Sequence, residues 1–350
     1  MKDFFQGKRV FLTGHTGFKG AWLSYILNIL GAEVTGFSLS PPTNPNLFET
    51  LELDKKVNHF LGDVRDFNTL SSVIKRCSPQ IVFHLAAQSI VKDSYERPYE
   101  TFDVNFKGTL NLLEALRSCK ELKVLIIVTS DKCYKNKEWI YGYREVDELG
   151  GLDPYSCSKA CVELLCNSYF KNFFQNKGVA TARAGNVIGG GDWQRYRLIP
   201  DCVKALSSNQ VIKIRNPNSI RPWQHVFDAL YGYIILAKAL WDDPKGFSGA
   251  WNFGPLEEDV ARVRDVVEKV IDLWGAGSYE EVSSDFKETH LLRLDISKSL
   301  FLLNWRPVWR LEKALKKTVE WYKTFYEKRE NILELSYLQV LEFFKDAKVW

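Results

Sequence analysis

The segment Thr13-Gly14-His15-Thr16-Gly17-Phe18-Lys19-Gly20 limits the fold more tightly than any other part of the chain. It follows a short apolar run and precedes a helical pattern, with glycines three residues apart. Glycines so spaced let the backbone turn sharply and approach a ligand closely, and the free N–H groups of a helix's first turn favour an anion such as a pyrophosphate. The spacing predicts a strand–turn–helix unit that opens a parallel α/β sheet. A tight turn with no ligand is the plainer alternative.

The rest of the N-terminal half keeps that rhythm. Apolar runs at Arg9–Thr13, Glu33–Ser38, Val57–Leu61, Gln80–Leu85, Val124–Thr129 and Val179–Ala184 read as strands, with helices near Phe18–Leu30, Phe67–Arg76, Phe106–Ser118 and Tyr155–Phe174. Continuous apolar runs such as Val124-Leu125-Ile126-Ile127-Val128 imply burial on both faces, as in a doubly wound parallel sheet covered by helices. The prolines at 41, 42 and 45 mark a surface loop. Beyond Asn186 the pattern changes, with helices near Val226–Leu240, Val263–Trp274 and Leu311–Tyr326. The expected organisation is a dinucleotide-binding domain over 1–188, to which part of 223–250 returns, and a smaller substrate domain over 189–330. A helical tail over 331–350 carries apolar residues at Ile332, Leu335, Leu338, Leu341 and Phe344, which predict a face packed on the body or on a partner.

Composition excludes several classes. The net charge is only +4 over 350 residues and no long Lys/Arg run occurs, so an anionic small substrate suits the chain better than a nucleic acid. Seven cysteines without a CxxC pair, three of them along one predicted helix at Cys157, Cys161 and Cys166, read as buried thiols in a reducing compartment. Met1 to Gly7 lacks a signal-peptide core and no apolar stretch is long enough to span a bilayer, so the expectation is a cytoplasmic protein with no membrane contact. His15, His84 and His225 show no metal spacing, and His59 and His290 are isolated; packed or surface histidines are the plainer reading, His15 excepted because it lies within the glycine loop.

Candidate chemistry gathers at the strand ends. Tyr155 and Lys159, four residues apart on a helix, share a face, so the ammonium is expected to lower the phenol's pKa and make it a base. With the glycine loop this implies hydride transfer to or from an alcohol. Ser38 ends the second strand, where neither an acid for the adenosine ribose nor an arginine for a 2′-phosphate stands, and NAD is the better guess. Asp63, followed by Val64, is placed to meet the adenine, whereas Asp66 suits a helix N-cap. Leu85, Ala86, Ala87 and Gln88 end the fourth strand, where small residues admit a cofactor or simply a packed helix. Ser130, Asp131 and Lys132 follow Thr129 at the fifth strand's end, where hydroxyl, carboxyl and amine can bind a reacting oxygen, give a proton and take one.

Five segments carry a resemblance: the glycine loop, the Tyr155/Lys159 pair, Thr129-Ser130-Asp131-Lys132-Cys133-Tyr134, Gly189-Gly190-Gly191-Asp192-Trp193 and Arg221-Pro222-Trp223-Gln224-His225. Over nearly its whole length the sequence resembles the extended short-chain dehydrogenase/reductase superfamily, and within it the sugar-nucleotide 4,6-dehydratases. Dehydratases of dTDP- and GDP-sugars carry an Asp-Glu pair where this chain has Asp131-Lys132, and the departure points to CDP-glucose as substrate. The resemblance implies NAD held by Gly14, His15, Gly17, Phe18, Lys19, Gly20, Ser38, Asp63, Val64, Leu85 to Gln88, Asn105, Thr129, Tyr155 and Lys159. It implies catalysis by Tyr155, Lys159, Ser130, Asp131 as acid and Lys132 as the C5 base with a depressed pKa. Substrate contacts are implied for Ser130, Asn186, Trp193, Arg197, Leu198, Arg215, Arg221 and Asn252. A homodimer through the helices near 106–118 and 155–174, and a role in deoxysugar and lipopolysaccharide precursor synthesis, complete the expectation. A 4-epimerase, a decarboxylase or an inactive NAD-binding regulator are the alternatives.

Overall fold

Alternate residues of the apolar runs part to opposite sides of one sheet. Val10, Leu12, Ile81, Phe83, Val124 and Ile126 enter one core cluster, while Phe11, Val82, Leu125 and Ile127 enter another. This two-residue period with both sides buried is what a parallel sheet between helical layers requires. The computed structural model describes residues 1–283 and 291–349, so His290 lies outside the described residues. Its main sheet comprises β1 (Arg9–Thr13), β2 (Glu33–Ser38), β3 (Asn58–Leu61), β4 (Ile81–His84), β5 (Val124–Val128), β6 (Gly178–Ala184) and β7 (Gly249–Phe253).

The strand order is β7-β6-β5-β4-β1-β2-β3, and every pairing is parallel. The chain winds outward in both directions from β1 and β4, and the crevice between their C-terminal ends is where open α/β sheets take ligands. Around the sheet lie α1 (Phe18–Ile29), α2 (Phe67–Cys77), α3 (Gly108–Arg117), α4 (Pro154–Phe173), α5 (Leu198–Ser207), α6 (Val226–Asp242), α7 (Val263–Trp274), α8 (Leu311–Glu327) and α9 (Ile332–Asp346). Asp66 caps α2 by accepting from the amides of Asn68 and Thr69, and Asp153 caps α4 by accepting from Ser156.

The larger core cluster runs without a break from the sheet into α6, α7, α8 and α9, so the C-terminal helices share the core of the sheet. The tail corrects the sequence reading. The buried residues of α9 are Ile332, Ser336, Gln339, Val340, Phe343 and Phe344, whereas Leu338 is half exposed. A three-residue apolar spacing drifts around a helix of 3.6 residues per turn, so Leu338 rolls off the face and two polar residues take its place. Both are satisfied: the Trp321 indole donates to Ser336 Oγ at 2.9 Å, and Gln339 Nε2 donates to the Lys317 carbonyl at 3.0 Å. All seven cysteines are free; of the three on α4 only Cys166 is buried, while Cys157 and Cys161 are half exposed. Among the described residues no helix is long and apolar enough to cross a membrane.

Candidate active site

A cavity of about 1010 Å³ opens at the β1/β4 crevice. At one end it is lined by Gly14, Gly17, Phe18, Lys19 and Gly20, with Ser38, Asp63, Val64, Leu85, Ala86 and Ala87 around them. Gly14 has φ +77°, and a Cβ there would stand 2.7 Å from the Ala86 amide nitrogen; a Cβ on Gly20 would stand 2.1 Å from the Gly14 carbonyl. Only glycine permits this turn. Thr13 Oγ1 accepts from the amides of Leu85 and Ala86 at 3.2 Å each, locking the two strand ends together beneath it. Ser38 Oγ pairs with Thr16 Oγ1 at 2.8 Å, and Arg65 holds the Asp63 carboxylate below its usual range. A backbone cradle at a helix N-terminus with hydroxyls at the second strand fits a dinucleotide.

In the middle stand Tyr155, Lys159, Ser130, Asp131 and Lys132. Tyr155, Lys159 and Glu163 are four residues apart on α4 and share the face turned to β5 and β6. Glu163 is fixed by Thr181 Oγ1 at 2.7 Å and by Arg183, whose Nε and Nη2 donate at 2.9 and 2.8 Å; both ion-pair partners are 3% exposed. Arg183 Nη1 in turn donates to Tyr134 Oη at 2.7 Å, and Tyr134 donates to Asn252 Oδ1 at 2.7 Å. A closed buried network of this kind keeps α4 in register with the loop that carries Ser130 to Tyr134. Ser130 Oγ donates to Asp131 Oδ1 at 2.8 Å.

The electrostatics correct one expectation. Burial pushes the Tyr155 phenol up to about 12, opposed by a hydrogen bond from Ser130 and by the Arg197 charge. Lys159 is itself brought down to about 8 by burial, with Glu163 pulling it back, and its Nζ donates to the Val128 carbonyl at 3.4 Å. Helical spacing put the two groups on one face, yet desolvation penalises the charge on both and decides the direction of each shift. Asp131 is also raised by burial, against the opposing charges of Lys132 and Lys19 and the Ser130 hydrogen bond. A buried carboxyl so raised is suited to giving a proton.

The far end is lined by Asn186, Asp192, Arg197 to Cys202, Ile212 to Asn216, Arg221 and Trp223. Arg197 bridges the halves, donating to Asp192 at 2.8 Å and to Ser89 Oγ at 3.2 Å. Lys19, Lys132, Lys159, Arg197, Arg215 and Arg221 make the cavity a site for anionic ligands.

Residues 11–318 match the protein family described as GDP-mannose 4,6 dehydratase. The chain belongs to this family. It is 47% identical over 333 residues to the CDP-glucose 4,6-dehydratase of Salmonella typhimurium, covering 93% of each. It is 28% identical over 279 residues to the UDP-glucuronate 4-epimerase of Thermodesulfobacterium geofontis, covering 78% of this chain and 82% of that one. Among solved structures it is similar to a dTDP-glucose 4,6-dehydratase from Bacillus anthracis in complex with NAD, with a TM-score of 0.78 at 23% identity, covering 93% of this chain and 100% of the other. At that identity the likeness is one of fold.

Within this family fold, most of the candidate site residues read from sequence converge on the cavity and five do not. His15 turns its ring away, 2.6 Å from His59 Nδ1 and edge-on to Phe48. Burial and His59 lower it to about 3, so it packs as a neutral ring. Gln88 and Asn105 bond each other, the Gln88 amide donating to Asn105 Oδ1 at 2.8 Å, and Asn105 Nδ2 donates to Ser158 Oγ at 2.9 Å. They brace α4 against the end of β4. Trp193 packs on Trp321, Tyr322 and Phe325, and Asn252 is fully buried, its Nδ2 donating to the carbonyls of Tyr143 and Asp295. His225 is a packed histidine, as the sequence reading had it: it caps α6 and lies against Trp309. Missed by sequence reading were Asp192 and Ser89; Asp192 lies inside the glycine-rich segment, which was the available signal. Among the described residues no group of three or more His, Cys, Asp or Glu is gathered to hold a metal.

Proposed function

We propose that this protein converts CDP-D-glucose to CDP-4-dehydro-6-deoxy-D-glucose and water with NAD as a recycled cofactor. What carries the reading is the Ser130-Asp131-Lys132 turn, its first two residues buried, which lines one cavity with Tyr155, together with 47% identity to a CDP-glucose 4,6-dehydratase. Gly14, Gly17, Phe18, Lys19 and Gly20 hold the dinucleotide pyrophosphate, Ser38 the ribose, and Asp63 with Val64 the adenine. When bound, NAD+ would supply the two-electron chemistry, accepting hydride from C4 and giving it back at C6 once the hydroxyl has left, and its cationic ring would add to the positive charge that Arg197 brings to bear on Tyr155. Tyr155, as phenolate and assisted by Ser130, takes the proton of the 4-hydroxyl. The resulting ketone acidifies C5–H; Lys132 removes that proton, and Asp131 gives its own to the departing 6-hydroxyl. Asn186, Arg197, Arg215 and Arg221 face the diphosphate, whose two charges suit paired guanidinium groups.

Residues 1–188 act as the cofactor part and 189–330 mainly as the substrate part. Leu164 and Phe173 stand exposed on α4 and support a homodimer through that helix and α3 in the cytoplasm, supplying deoxysugar precursors such as those of lipopolysaccharide.

Purified protein with NAD and CDP-glucose should give a product lighter by one water in mass spectrometry. An isomeric product of unchanged mass would replace this reading by epimerisation, and loss of CO2 from a uronate by decarboxylation. Lys132→Met should still oxidise C4, seen as NADH absorbance, while solvent-deuterium exchange at C5 nearly stops. Asp131→Asn should keep that exchange and fail to expel the hydroxyl. Normal dehydration by Lys132→Met would assign the C5 base elsewhere.

A further inference from the structure

The far end of the cavity holds a carboxylate that the reaction does not use. Asp201 sits in the first turn of α5, which packs against the strand Ile212–Ile214. The walls between them are apolar, with Ile199, Ile212, Ile214 and Trp223 all buried, and such a slot takes a planar heterocycle. Among the described residues, no side chain donates a hydrogen bond to the Asp201 carboxylate. Asn216, just past the end of that strand, lines the same cavity, and its Nδ2 is buried without a hydrogen-bond partner. A buried unpaired amide is costly unless a ligand completes it. Burial raises the Asp201 carboxyl above its ordinary value, and the positive charges of Arg215, next to Asn216, and of Lys204 oppose that rise.

An ionised carboxylate only accepts hydrogen bonds, so it is a poor neighbour for a diphosphate and a good one for an amine. Pyrimidines differ at this point. Cytosine presents an exocyclic N4 amine where uracil and thymine present a carbonyl oxygen. We propose that Asp201 and Asn216 determine base specificity: Asp201 accepts from cytosine N4–H, Asn216 Nδ2 donates to N3 or O2, and the O4 of uracil or thymine is rejected by the carboxylate. This deepens the CDP-glucose reading and rests on it.

The test is calorimetric binding of CDP and UDP to the full chain, independent of turnover. The native protein should bind CDP about 100-fold or more tighter than UDP, because a site built around a donor rejects the base that lacks it. Asp201→Asn, whose amide can donate to O4, should narrow the ratio to within about fivefold by weakening CDP and strengthening UDP. Asn216→Leu should weaken CDP about tenfold. NAD binding should stay within about twofold in both variants, which verifies folding. With CDP-glucose, KM should rise more than kcat falls. An unchanged CDP/UDP ratio in Asp201→Asn, or a native protein that does not prefer CDP, overturns the assignment. Water loss from CDP-glucose by the native protein tests the parent reading separately, so the two can fail apart.

Discussion

The two ends of the cavity are made in different ways. The dinucleotide end is a backbone construction: Gly14 and Gly20 leave no room for a Cβ, Thr13 staples Leu85 and Ala86, and the pieces come from strand ends, the turns after them and the first turn of α1. The far end is a side-chain construction, assembled from α5, Ile212–Asn216, Arg221 and Trp223, which lie on separate segments. A backbone cradle recognises what all dinucleotides share, whereas side chains from several segments can be exchanged one by one, and selectivity is built there. Between the ends lies the reactive group, fixed to both through α4.

The strongest way to break this division is at its middle. Tyr155→Phe keeps the ring's packing and removes the proton acceptor, so kcat should fall by about 10²–10⁴-fold while calorimetric binding of CDP and NAD changes little. Loss of binding at either end would show that the phenol holds ligand as well as reacting with it. At the backbone end, Gly20→Ala forces a Cβ into the Gly14 carbonyl and should weaken NAD binding by roughly 100-fold, with CDP binding nearly intact. Equal damage at both ends would mean that the two are not independent.

The smallest effect is on pH dependence, and it sharpens the account of the middle. Lys159 releases its proton at about 8 in the folded chain and at the ordinary 10.5 when unfolded. Between those values the unfolded chain holds the extra proton, so this residue makes stability rise with pH across that window. Lys19, also brought to about 8, contributes with the same sign. Lys159→Met should remove part of the rise, on the order of 1 kcal/mol, in denaturant melts at the two ends of the window. An unchanged slope would mean that Lys159 keeps its proton when folded.

The sequence was most legible where structure is local. Glycine spacing, apolar runs and capping aspartates placed β1 to β6, α1, α2 and α4 within one or two residues, because strand and helix periods and turn sterics act over a few positions. The same locality put Ser130 to Lys132 and Tyr155 at one sheet edge. What sequence misjudged depends on neighbours far along the chain. His15 lies in the loop by position, yet its ring turns to His59, and Asn252 ends a strand but is consumed by Tyr134, Tyr143 and Asp295. The tail's apolar stripe lost Leu338 to solvent because burial follows the helical period and the partner's shape. The Tyr155 pKa went opposite to expectation for the same reason. Spacing determines which groups face each other, whereas desolvation is set by everything packed around them, and only the tertiary structure supplies that.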